Sequence, residues 1–126
     1  MKGGLLGLGI DSVDIERFAD VLARRPAMAL RLFSDGERSY AGSLSDPIPS
    51  LAARFAVKEA VMKALGVGLG AFDWVDVEVA RRTGGAPGLV VTGRAAALAA
   101  ERGVAGWHVS ITHTRTVASA AVAAVA

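Results

Sequence analysis

The sequence predicts an α+β protein: a largely antiparallel sheet with one long central helix packed on it, in a single domain over residues 1–126. Three observations predict this. The stretch Pro49 to Gly66, PSLAARFAVKEAVMKALG, has no internal glycine or proline and is built of strong helix formers. Residues 4–13 alternate as a strand does. The second half holds two hairpin patterns, one before and one after an alanine-rich helix. At 126 residues there is room for one core and not for two. A composition of 52% hydrophobic and 21% charged residues is that of a folded chain.

Each element has its own signal. In the first strand Leu6, Leu8 and Ile10 share one side, while Leu5, Gly7, Gly9 and Asp11 share the other. Small glycines beside a strand-end carboxylate leave room for a ligand; equally, Asp11 or Ser12 can cap the helix that follows. That helix, residues 13–25, ends at Pro26. FSDGE then carries a capping box, Ser34 with Glu37 three residues on, which makes Glu37 a capping residue first. In the central helix Ser50 is the expected N-cap and Gly66 the C-terminal stop.

Leu51, Phe55 and Met62 form one apolar stripe on that helix; Val57, Val61 and Ala64 cover the opposite side, so protein is expected against both. Residues 74–80 and 89–92 read as a hairpin about the turn TGGAPG at 83–88, and residues 93–103 as a helix ending at Gly103. WHVSITH, a turn at Thr114 and Arg115, and VASAAVAAVA make the second hairpin, with the tail expected as a buried strand.

Charge and cysteine content exclude several classes of function. A net charge of +2 gives no electrostatic case for nucleic acid. The chain has no cysteine, so disulfides, thiolate catalysis and cysteine-bound zinc are excluded. No apolar run is long enough to span a bilayer, and the N-terminus is a poor signal peptide; a soluble cytoplasmic protein without membrane or nucleic-acid partners is expected. Arg17, Arg24, Arg25 and Arg31 make a local basic patch, either a solvated face or a docking surface for an acidic partner. Glu59 and Lys63 stand one turn apart at the edge of the Phe55 and Met62 stripe. They are either an ordinary surface pair or a desolvated carboxylate that requires a cation, a metal or a hydrogen-bonding partner.

Three stretches resemble one family. GIDSVDIERF, FSDGE and RFAVKEAVMKALG occur in the order and spacing of the bacterial holo-acyl-carrier-protein synthases, the short class of 4'-phosphopantetheinyl transferases, and HVSITHT followed by an apolar strand agrees. The resemblance implies the fold of that class and its reaction: transfer of the 4'-phosphopantetheine arm of coenzyme A to a serine of an acyl carrier protein, with Mg²⁺ and release of adenosine 3',5'-bisphosphate. It implies Asp11 and Glu59 as the metal carboxylates, a set that suits Mg²⁺ because one or two carboxylates, phosphates and waters complete its octahedron.

Lys63 would face the pyrophosphate, and Arg54 and His113 the adenine nucleotide. The base would be Glu59 or, preferred here, a metal-bound water that it orients. Arg17 and Arg24, with Arg25 and Arg31 behind them, would dock the acidic carrier. The class assembles as trimers with sites between subunits. One departure stands out: the family often has a basic residue before the proline of the glycine turn, where this chain has Ala86. Two rival readings make separate predictions. A non-catalytic docking module should not bind coenzyme A in a Mg²⁺-dependent way, and a nucleoside-phosphate hydrolase should turn over regardless of carrier protein.

Overall fold

The computed structural model describes residues 3–81 and 84–126, so Thr83 of the expected TGGAPG turn lies outside the described residues. In chain order it forms β1 (Leu5–Asp14), α1 (Ile15–Arg24), α2 (Met28–Leu32), α3 (Asp35–Gly42), α4 (Ile48–Leu65), a single 3-10 turn (Trp74–Asp76), β2 (Val77–Arg81), β3 (Pro87–Val91), α5 (Gly93–Glu101), β4 (Gly106–His113) and β5 (Val117–Val125). Strands β1, β5 and β4 form one antiparallel sheet in that order, and β2 and β3 form a second antiparallel pair. The α+β expectation is borne out, and the alanine-rich tail is a strand. No helix of the described residues is long and apolar enough to cross a membrane.

Helix α4 lies across the three-stranded sheet. Ala118, Ala120, Val122 and Ala124 of β5 are buried on the helix side, and twelve of the eighteen α4 residues are buried, on both of the helix's apolar faces. The helix begins two residues before Ser50. Pro49 sits within its first turn, where a missing N–H costs nothing. Asp46 Oδ1 accepts the Ile48 N–H, at 3.1 Å, so Ser50 is not the cap that the sequence led us to expect. Gly66 ends the helix at φ +69°, a left-handed conformation that favours glycine.

The glycines of β1 serve a different purpose from the one expected. A Cβ on Gly9 would stand 1.8 Å from the Ala60 carbonyl oxygen, and one on Gly7 1.8 Å from that of Ala64. The space they leave is filled by the α4 backbone and not by a ligand. They bring β1 so close to α4 that the next residue on that face, Asp11, meets the helix side chains directly.

The outer face of the same sheet is apolar and uncovered. Leu5, Leu6, Leu8 and Ile10 are 64%, 48%, 57% and 60% exposed; Leu5, expected on the glycine side, departs from that alternation because the register shifts between Leu5 and Gly7. Ile10 stands opposite Ala121 and Leu8 opposite Ala123, so the patch continues onto β5.

Candidate active site

Asp11 reaches the site because β1 runs on to Asp14. Asp14, not Asp11, caps α1, accepting the Arg17 N–H at 3.1 Å. Freed from capping, Asp11 turns toward α4. Its Oδ1 accepts a hydrogen bond from Lys63 Nζ at 3.1 Å, and Lys63 Nζ also donates to the Ile10 carbonyl at 2.9 Å. Asp11 Oδ2 is buried with no hydrogen-bond partner. Lys63 thus pairs across to β1 rather than with Glu59, its neighbour one turn back.

Glu59 is half-buried on the same side. Burial first, then the Asp11 charge and a shared proton with Asp11, together raise its pKa from 4.5 to about 7 against the opposing pull of Lys63. Two carboxylates face each other here with one ammonium paired to Asp11, and Asp11 Oδ2 is left orphaned when both are ionised. That is a donor set short of positive charge. A hard divalent cation with oxygen preference fits it. Among the described residues no third histidine or acidic side chain joins the pair, so phosphates and water would have to fill the remaining positions.

Arg54 and His113 are brought together in a different place. They line a cavity of about 620 Å³ bounded by α3, α4, β2 and β4 and shared with Tyr40 and Arg81. Asp11, Glu59 and Lys63 do not line it. Arg54 and Glu59 are five residues apart on α4, about 140° around the helix, so they point to different sides. Arg54 is 5% exposed, and its guanidinium donates to Ser50 Oγ at 2.6 Å and stands 4.7 Å from the centre of the Tyr40 ring. Burial draws its pKa down from the ordinary arginine value, while Glu37 and Tyr40 oppose the shift. His113 is exposed at the end of β4. Ala86 is exposed beside this cavity and contributes no charge. Arg17, Arg24, Arg25 and Arg31 are all exposed along α1, its C-terminus and α2.

Sequence reasoning missed Lys58. It is fully buried, and Nζ donates to Glu37 Oε1 at 2.8 Å, to the Trp74 carbonyl at 3.0 Å and to the Val77 carbonyl. Glu37 accepts the Ser34 N–H and, at 3.0 Å, the Val79 N–H. The capping residue predicted from FSDGE therefore also carries the buried ion pair that ties α3, α4 and β2 together. Burial lowers the Lys58 pKa, and Glu37 offsets this. The fixed framework around it positions Glu59, the next residue along α4.

The model of the 4'-phosphopantetheinyl transferase superfamily matches residues 7–124. The chain belongs to this superfamily. A holo-[acyl-carrier-protein] synthase of Streptomyces coelicolor is 51% identical over 120 residues, covering 95% of this chain and 97% of that protein. Among solved structures, the holo-[acyl-carrier-protein] synthase of Neisseria meningitidis superposes with a TM-score of 0.88 at 26% identity, covering 96% of this chain and 98% of that one. A holo-(acyl-carrier-protein) synthase of Bacillus anthracis in complex with CoA (3',5'-ADP) gives 0.81 at 29% identity and 97% coverage of both. The transferase's two groups of charged residues, one at the β1–α4 contact and one in the cavity, are thus carried on a fold shared with a protein solved with this nucleotide.

Proposed function

We propose that this transferase moves the 4'-phosphopantetheine arm of coenzyme A to a serine hydroxyl of apo acyl carrier protein, in fatty-acid or polyketide synthesis, as one domain acting in the cytoplasm. The observation that carries the reading is the meeting of Asp11, Glu59 and Lys63 at the β1–α4 contact. Supporting it are the relatives named above, whose names state the same reaction partner.

Asp11 and Glu59 would hold Mg²⁺, which when bound supplies the positive charge that two adjacent phosphates and a departing phosphate require. Lys63, fixed by Asp11 and the Ile10 carbonyl, carries a charge that complements the pyrophosphate. The serine oxygen forms its bond to the phosphorus bearing the arm. The bond from that phosphorus to the bridging oxygen breaks, and adenosine 3',5'-bisphosphate leaves with the electron pair. A water held by Glu59, or Glu59 itself, takes the hydroxyl proton. Arg54 and His113 would receive the nucleotide in the cavity.

Since those two groups of residues sit on different sides of α4, we read the site as shared between neighbouring copies in a homotrimer. The uncovered apolar face of β1 and β5 suits subunit contact. Arg17 and Arg24, with Arg25 and Arg31, present exposed charge to an acidic carrier.

Intact-mass spectrometry tests the whole reading. Apo carrier protein incubated with the transferase, coenzyme A and Mg²⁺ should gain one phosphopantetheine, and chelator should prevent it. Coenzyme A binding without any adduct on several folded carriers would mean a different acceptor. Neither binding nor adduct would overturn the reading.

A further inference from the structure

We propose that His108 makes the contact between copies of this chain proton-sensitive: uncharged, it lies within the sheet face on which a second copy seats; protonated, it drives that copy off and dismantles the shared site. The inference rests on the homotrimer reading above.

The side chains of β4 alternate between the two faces of the sheet. Trp107, Val109 and Ile111 pack against the core, while His108, Ser110 and Thr112 are exposed on the face that carries Leu8 and Ile10. Strand pairing sets these residues in rows. Leu8 and His108 both stand opposite Ala123, and Ile10 and Ser110 both stand opposite Ala121. The central strand β5 therefore offers only methyl groups there, with larger side chains on either hand. The result is a trough with an alanine floor, about 10 Å across from β1 to β4. Leu8 and Ile10 make one wall, and His108 and Ser110 make the other.

The occupant is a second copy of this chain. The exposed ridge of Leu8 and Ile10 is what an alanine-floored trough accepts, and every copy carries both. Ridge against trough is a heterologous contact, and such contacts close into rings. The functional site also asks for a neighbour, because Arg54 and Glu59 point to different sides of α4.

His108 is the titratable side chain of this trough. The row beyond it is Ser12, Ser119 and Thr112, with the two serines hydrogen-bonded at 2.9 Å. No described residue of these three rows is a carboxylate, and His108 forms no ion pair among the described residues. The charged groups nearby in sequence lie elsewhere. Asp11 and His113 alternate to the inner side, Asp14 caps α1 at the far end of β1, Glu101 and Arg102 close α5 before β4 begins, and Arg115 is in the turn after it.

An imidazole ordinarily gains its proton near pH 6.5, to within about a unit. Covered by a second copy, the charged ring loses its water against alkyl groups and gains no counter-charge. The separated chain therefore takes the proton more readily than the assembled one. The contact is at full strength above about pH 6.5 and weakens as pH falls below it.

The test is analytical ultracentrifugation over a dilution series at pH 7.5 and pH 5.5, for the parent, His108→Gln and His108→Leu. Each histidine contributes about tenfold between those pH values, so a ring of three loses about a thousandfold in its association constant, and the parent's midpoint concentration should rise about thirtyfold. The midpoints of both variants, uncharged at either pH, should move less than about threefold. A parent that assembles at pH 7.5 and keeps its midpoint at pH 5.5 overturns the role of His108 and leaves the homotrimer standing, as do variants that keep the parent's response. Failure of both variants to assemble at pH 7.5 also overturns it, since the ring would then be required for the contact rather than tolerated in it. A parent that stays monomeric at every concentration at pH 7.5 overturns the homotrimer reading and takes this proposal with it.

Discussion

Replacing Glu59 with glutamine should make the metal-free protein more stable and inactive at once. The side chain keeps its shape and loses its charge. Its pKa lies at about 7 in the fold against 4.5 ordinarily, so folding favours the protonated form. Such a group adds nothing against the fold below pH 4.5. As pH rises from 4.5 through 7 the carboxylate must ionise beside Asp11, and stability is lost. Unscreened, the displacement corresponds to ~3.4 kcal/mol. Glu59 is only half-buried, and water screens part of the repulsion, so about 1.5 kcal/mol is the expected size.

The assay is thermal unfolding at fixed protein concentration, with chelator, at pH 5 and pH 8. At pH 5 the folded parent is mostly protonated at Glu59, about a quarter of the loss is present, and the parent should melt only about 1 °C below the variant. At pH 8 Glu59→Gln should melt roughly 5 °C higher. Adding Mg²⁺ at pH 8 should raise the parent toward the variant and move the variant little, because only the parent offers a second anionic ligand. Transfer to carrier protein should fall by about a hundredfold or more. Equal melting at both pH values, or a lower melting temperature at pH 8, would refute the reasoning that these two carboxylates oppose each other in the fold.

Three further outcomes are expected. Gly9→Ala should destabilise the fold by about 3 kcal/mol in denaturant titration, because its Cβ would meet the Ala60 carbonyl and neither backbone can yield alone. Lys58→Met should cost about 3–5 kcal/mol by leaving Glu37 buried and unpaired, and adding Glu37→Gln should recover at least about 1 kcal/mol of it. Arg24→Glu should raise the carrier KM about tenfold more than it raises the coenzyme A KM, as steady-state kinetics would show.

The elements legible in the sequence are those whose signal is local. The capping box at Ser34, the stop at Gly66 and the two hairpins each depend on residues a few positions apart. The start of α4 differs from the expected Ser50 cap for a local reason as well: Ser50 is a good cap, but Pro49 fits the first turn and Asp46 supplies the acceptor. What the sequence hid depends on distance along the chain. The Glu37–Lys58 pair joins positions 21 apart, and Asp11 meets Lys63 across 52. The glycines of β1 show the limit most directly. Gly7 and Gly9 announce that something approaches closely, and nothing in their spacing tells whether it is a ligand or the α4 backbone. The Tyr40 ring between Arg54 and Arg81, drawn from separate elements, has no sequence signature at all.

Helix α4 divides its charges among three directions, and this makes the shared-site reading testable. Lys58 is locked into the core, Arg54 opens into the cavity, and Glu59 and Lys63 face β1. The helix is covered on both apolar faces, so no bending of it can bring Arg54 to Glu59. If the nucleotide bound at Arg54 of one copy reacts at Glu59 of the next, two crippled chains should repair each other. Glu59→Ala lacks the carboxylate and keeps the cavity; Arg54→Ala lacks the cavity charge and keeps the carboxylate. Refolded together in equal amounts, random assembly gives an intact composite site in about a quarter of cases, when an Arg54→Ala chain supplies Glu59 and its Glu59→Ala neighbour supplies Arg54. Transfer at low coenzyme A should then recover to about a quarter of the parent rate, from near zero in either variant alone. Sites contained within single chains would recover nothing on mixing, and that result would leave the apolar face of β1 and β5 without a part in catalysis.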